Sequence, residues 1–219
     1  MPGSLNFEAP TALQYFATLV ADDASLSTLE AAIAVAQAEY PRLDVQQTLA
    51  QIDELANRLR QRIAADAAAL QRLRLLNGFF FQELGFAGNV NDYYDARNSY
   101  LPDVLRTRRG IPLTLALLYI ELATQAGLRA SGISFPGHFL VKLQMPRGEV
   151  VIDPFSGHSL SRDKLDKRLL PYRRQRGLTG EFEAPLGLFL QAAAPRDVLA
   201  RLLRNLKEIH RTAGDWPRL

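Results

Sequence analysis

The chain has 219 residues, 47% of them hydrophobic, and its 26 basic and 23 acidic side chains leave a formal charge of +3. That length and apolar content suit one globular domain with a helical annex, and the near balance of charge gives no electrostatic case for nucleic acid. The absence of Cys excludes disulfides, thiolate metal sites and a thiol nucleophile.

The opening MPGSLNFEAPTALQYF lacks a basic stretch followed by an apolar one. The longest apolar run, residues 111–120, falls well short of the roughly 20 residues that cross a bilayer. A cytoplasmic protein with no membrane partner is therefore expected.

The first elements read as helices. Residues 11–21 are apolar at helical spacing. Ser27 with Glu30 gives a capping-box signature ahead of Leu29, Ile33 and Val35, and Pro41 closes that segment. Asp44 with Gln47 repeats the device. Behind it, Val45, Leu49, Ile52, Leu55, Leu59 and Ile63 form one apolar stripe, with Arg58, Arg60 and Arg62 on a solvated back. A third helix is expected over 67–84, on Leu70, Leu73, Leu76, Phe80 and Leu84, ending at Gly85. Its triplet Phe79, Phe80 and Phe81 reads as core. Residues 1–85 thus form a helical N-terminal region packed on the rest.

Residues 88–97 read as a loop, and Asn98 or Ser99 as the cap of a short helix running to about Arg106. The next helix has Pro112 in its first turn, where a missing N–H costs nothing, and runs through Leu115, Leu118, Tyr119 and Leu122 to Gly127. The period then changes. Residues 128–135, 139–144 and 149–152 are short alternating or β-branched runs separated by Pro-Gly and Pro-Arg-Gly turns, which predicts antiparallel strands. One or two further short strands are expected within 177–190. The fold class is α+β, with its core over 86–190. Residues 191–219 carry a final amphipathic helix, 195–212, on Val198, Leu202, Leu206 and Ile209, followed by an exposed-looking Trp216 on which something further is expected to pack.

Three segments carry chemistry: Arg109-Gly110-Ile111-Pro112-Leu113-Thr114, Pro136-Gly137-His138-Phe139 and Val151-Ile152-Asp153-Pro154. Acyl transfer from an amide or thioester needs a nucleophile, a base to take its proton and a group that orients the base. A helix N-terminus adds N–H groups and partial positive charge for a developing oxyanion. Thr114 is the only hydroxyl in that first turn. His138 follows a turn at the start of a strand and Asp153 ends the next, so the two can lie side by side. Each also has a plain reading, as a half-buried strand histidine and an Asp-Pro turn opener.

Other residues carry less. His138, Asp153 and His158 do not have the spacing of a metal site in a chain with three His, so no metal or cofactor is expected. Lys164, Lys167, Arg168, Arg173, Arg174 and Arg176, around Tyr172, read as a solvated basic face or loop rather than a phosphate-binding surface.

Residues 76–143, continuing through VIDPFSG, resemble the transglutaminase-like domain of the bacterial Sir B family, which also occurs beside F-box domains in eukaryotes. The resemblance rests on Asn98-Ser99-Tyr100-Leu101, Arg109-Gly110-Ile111-Pro112, Tyr119, Gly127, Pro136-Gly137-His138-Phe139, Asp153-Pro154-Phe155 and Gly157. It implies a transglutaminase-like (papain-like) fold: a helix against a small antiparallel sheet, with Cys at the helix start and His and Asp on two neighbouring strands. In such proteins Ser or Thr stands near the Cys position, which Thr114 fits, and tetratricopeptide-type helices follow, which residues 201–211 resemble. Ala96 departs from an expected Pro in a loop. Asn98, Tyr100, Arg109, Tyr119 and Phe155 become the candidate binding residues.

A Cys thiol starts near pKa ~8.5 and can be brought to about 3.5–7.5 at such a site, whereas a Thr hydroxyl starts far higher. A helix terminus contributes only ~0.3–2 kcal/mol, so Thr114 needs proton removal by His138. The expected function is a non-catalytic binding or regulatory module whose partner is a protein or peptide. The alternative is a Thr-dependent amide or ester hydrolase or acyl transferase, with Thr114 as nucleophile, His138 as base and Asp153 as orienter.

Overall fold

The computed structural model of the protein describes residues 10–178, 180 and 183–218. Helices α1 (Ala12–Leu19), α2 (Thr28–Ala34) and α3 (Val45–Arg60) begin at Thr11, Ser27 and Asp44, whose side chains accept from the backbone N–H of Gln14, Glu30 and Gln47. Short polar side chains there satisfy donors that a helix start leaves unmade. The buried stripe of α3 is Val45, Ile52, Leu55 and Leu59, with Arg58 and Arg60 exposed behind it.

Helix α4 (Ala69–Asn77) does not continue to residue 84 as one α-helix. It widens into a π-helical turn over Gly78–Glu83. The wider turn accommodates three consecutive aromatic rings: Phe80 stacks on Phe86 at 4.5 Å and meets Tyr119 edge-on at 5.3 Å. A short parallel pair follows, β1 (Ala87–Gly88) with β2 (Arg109–Gly110), so the stretch read as loop opens on a strand residue and closes in a 3-10 turn, Ala96–Ser99. Helix α5 (Leu101–Thr107) starts from Tyr100 rather than from Asn98 or Ser99. Asn98 does not cap it because its side-chain amide donates to the carbonyls of Asp92 and Tyr93.

Helix α6 (Pro112–Gln125) is buried on nearly every side, the pattern of a central helix. Strands β3 (Arg129–Ile133), β4 (Leu140–Met145), β5 (Gly148–Asp153) and β6 (His158–Leu160) form one antiparallel sheet in chain order. Alternation along the strands splits its two faces. Val141, Leu143 and Ile152 join the main core with α6, while Leu140 and Val151 join a second cluster with Leu165 and Leu169.

Those two leucines lie on α7 (Arg162–Gln175), which starts at Ser161 and occupies the stretch read as a basic face or loop. Within 177–190 the described residues form no strand and include a 3-10 turn, Leu186–Leu190; residues 179, 181 and 182 lie outside the described ones. Helix α8 (Pro195–Ala213) returns Val198, Leu199 and Leu202 to the main core. The architecture is α+β, and no described helix is long and apolar enough to cross a membrane.

Candidate active site

His138 is set by the turn before it. Its backbone N–H donates to the Phe135 carbonyl at 3.0 Å, across Pro136 and Gly137, and Gly137 has φ +69°. Pro followed by a left-handed Gly is the type II pattern. Val141 pairs with Ile152, so the start of β4 lies beside the end of β5, where Asp153 stands.

The His138 Nε2 lies 2.8 Å from Asp153 Oδ1. An ionised carboxylate only accepts, so Nε2 carries a proton, and the tautomer of the uncharged ring that fits this contact has its lone pair on Nδ1. Among the described residues Nδ1 has no hydrogen-bond partner. The imidazole is 22% exposed and the carboxylate 3%.

Asp153 accepts two more hydrogen bonds, from the Phe155 N–H at 3.0 Å and Arg168 Nη1 at 3.1 Å. Burial alone would push its carboxyl up. The His138 contact, with Arg168 and the Phe155 N–H, overrides burial and holds it well below the usual carboxylate range. Arg168 reaches it from α7. The sequence signal for that helix was Ser161 three residues ahead of Lys164, with Leu165 and Leu169 one turn apart.

Thr114 is not part of this cluster. It is fully buried, and its hydroxyl donates to the Asn98 carbonyl at 2.8 Å and the Ile111 carbonyl at 3.2 Å. Gly110 makes room for it, since a Cβ there would lie 2.8 Å from Oγ1. The neighbours Ile111, Pro112, Leu113 and Leu115 carry no nucleophilic atom. The structure thus joins the base and orienter positions and leaves the expected nucleophile facing backbone.

Four of the five candidate binding residues are engaged elsewhere. Asn98 organises its own loop and accepts from Asn89 Nδ2 at 3.0 Å. Tyr100 packs edge-on to Tyr40, with its hydroxyl 3.4 Å from His210 Nε2. Arg109 donates to the Gly85 carbonyl at 2.7 Å, which ties β2 to the end of the π-helical turn. Tyr119 is wholly buried, its hydroxyl 2.6 Å from Asn77 Oδ1. Only Phe155 borders His138, with ring centres 6.4 Å apart. Gly88 allows this, because any Cβ there would come within 2.3 Å of the Phe155 ring.

Two residues that sequence reading missed stand nearby. The Tyr93 ring lies 5.9 Å from Phe155, and Arg201 of α8 sits 5.6 Å over the Phe139 ring. Arg201 Nη1 lies 3.4 Å from the Phe135 carbonyl, the oxygen that also accepts from the His138 N–H. Burial pushes the Tyr93 hydroxyl up and Arg201 down, as expected for groups partly withdrawn from water. His158 pairs across from Asp153 on β6 but is exposed, and no three His, Asp or Glu side chains among the described residues converge as metal ligands.

Residues 46–204 match the family described as the transglutaminase-like superfamily. The chain belongs to the transglutaminase-like superfamily. Within it, UPF0162 proteins are its relatives. One from Xylella fastidiosa (strain 9a5c) is 36% identical over 200 residues, 90% of this chain and 69% of that one, enough to place the chain in the UPF0162 family as well. One from Pseudomonas aeruginosa is 33% identical over 187 residues, 85% of this chain. The chain spans 66% of that relative's length. F-box only protein 21 of Homo sapiens is 42% identical over 72 residues, 33% of this chain and 12% of that one. No solved structure matches.

Proposed function

We propose that this transglutaminase-like protein is a binding or regulatory module that retains the base and its orienter but carries out no acyl transfer. The observation behind this is Thr114: a buried hydroxyl spent on two carbonyls, in a helix start with no other nucleophile. The retained imidazole offers Nδ1 to a ligand donor, and Phe155 and Tyr93 offer ring surface beside it. Such a mixed patch on a loop suits a protein or peptide better than nucleic acid or a lipid surface.

The same reading takes the chain as a Sir B-type protein of the cytoplasm. Its parts are the helical region 1–85, the core 86–190 and the segment 191–219, whose helix is read as the opening of a tetratricopeptide-type repeat. The competing reading, a Thr114-dependent hydrolase or acyl transferase, draws on the His138–Asp153 contact. It requires the hydroxyl to leave both carbonyls and reach the ring.

The test is turnover of glutamine peptides with an amine acceptor, and of activated esters, by wild type and H138Q. No turnover above buffer is expected. Turnover that is lost in both H138Q and T114V would establish the hydrolase instead.

A further inference from the structure

A second site lies away from His138. A cavity of about 640 Å³ opens between α3 and the end of α5, and Arg58, Arg106 and Arg108 line it. That volume falls in the range of small-molecule sites, roughly 300–1,000 Å³.

The three guanidinium groups differ in what holds them. Arg58 is 3.2 Å from Glu83, which also pairs with Arg62. Arg106 is 2.6 Å from Asp103, whose other oxygen accepts from the Tyr40 hydroxyl at 2.6 Å. Both carboxylates are therefore fully engaged. Arg108 has no carboxylate partner among the described residues, and its enclosed Nη1 makes no hydrogen bond. Its guanidinium lies 4.7 Å over the Phe86 ring, which fixes its plane but takes none of its donors. Burial, and then the charge of Arg58, push its pKa below the ordinary arginine value.

Arg108 has φ +60°, the one described non-glycine residue with positive φ, because it closes α5 in the left-handed conformation common at helix C-termini, its N–H bonded to the Val104 carbonyl.

We propose that this cavity binds an oxyanion, the phosphate or carboxylate end of a small molecule, with Arg108 as its principal donor. Planar guanidinium forks match either group, and an anion set between Arg58 and Arg108 removes their mutual repulsion. Glu54, on the α3 wall of the same cavity, has no partner among the described residues and opposes the anion. Arg108 and Glu54 therefore act with opposite sign.

The experiment is calorimetric titration with inorganic phosphate and, separately, with acetate, at constant ionic strength set by chloride. Saturable binding of at least one is expected, and which one binds identifies the group. R108G suits the left-handed backbone, so it should fold; it should weaken binding at least tenfold. E54Q should tighten binding several-fold. Absence of saturable binding by either anion overturns the proposal, as does R108G binding like wild type. Should R108G fail to fold by circular dichroism, E54Q decides: unchanged affinity in E54Q overturns the site.

Discussion

Asp153 takes hydrogen bonds from an imidazole, a guanidinium and a backbone N–H while almost wholly buried, so its charge is built into the fold. D153N leaves Arg168 facing an amide. The expected loss is about 2 kcal/mol in urea unfolding, less than for a fully buried pair because Arg168 is 41% exposed. The pH dependence follows from the direction of the shift. A carboxyl depressed in the folded state stabilises fully above the unfolded value of ~3.9, and that stability is lost as pH falls below it towards the folded value. The gap between wild type and D153N should therefore be constant near neutrality and narrow below about pH 4. A gap independent of pH would show that shape rather than charge accounts for the loss. T114V isolates the other residue. Asn98 O still accepts from the Ile111 N–H and Ile111 O from the Leu115 N–H, so losing the hydroxyl should cost about 1 kcal/mol in the same assay. A loss of several kcal/mol would mean that the Thr114 hydroxyl bears more of the helix start than these carbonyls indicate.

At the scale of elements, the half of the site built on α6, β4 and β5 was legible. Pro112 and Gly127 bracket α6, and the Pro136-Gly137 turn and the end of β5 fix where His138 and Asp153 meet. Sequence spacing does not carry the direction of a side chain within the first helical turn, so the contacts of the Thr114 hydroxyl with the Asn98 and Ile111 carbonyls are not readable from it. The other half, α7, was hidden. Its buried leucines, Leu165 and Leu169, are few, its surface is basic, and Pro171 lies inside it, where a missing N–H breaks the helical pattern. Packing of Leu165 and Leu169 on Leu140 and Val151 supplies what local propensity lacks. The weak point of α7 is then its start. Ser161 Oγ accepts from the Lys164 N–H at 3.4 Å, and S161A should cost about 1 kcal/mol in thermal or urea unfolding. Because α7 carries Arg168, the same change should bring the wild-type acid sensitivity closer to that of D153N. An unchanged acid midpoint would show that Arg168 stays on Asp153 without the cap.

The whole molecule has a main core that crosses the boundaries drawn from sequence. One cluster runs from Ile33 on α2 through Leu76, Tyr119 and Ile152 to Leu202 on α8, so the helical N-terminal region, the α+β centre and the last helix share buried surface. Periodicity identifies which face of each helix is apolar but not which distant element covers it, and that pairing was the part of the architecture least readable from sequence. A shared core couples the parts energetically. Leu202 is fully buried, so L202A removes its contacts and leaves a cavity, at an expected cost of about 3 kcal/mol. Tyr119, packed against Phe80 and Phe81 in the same core, is one of the ordered aromatic rings that contribute to near-ultraviolet dichroism. In urea, the near-ultraviolet aromatic signal and the far-ultraviolet helical signal should shift together in L202A, with coincident midpoints. Coincidence is the behaviour of one cooperative unit. If α8 instead melted first while the aromatic signal held its wild-type midpoint, residues 191–219 would be an independently folding appendage, and the Arg201 contribution beside His138 would be separable from the rest of the site.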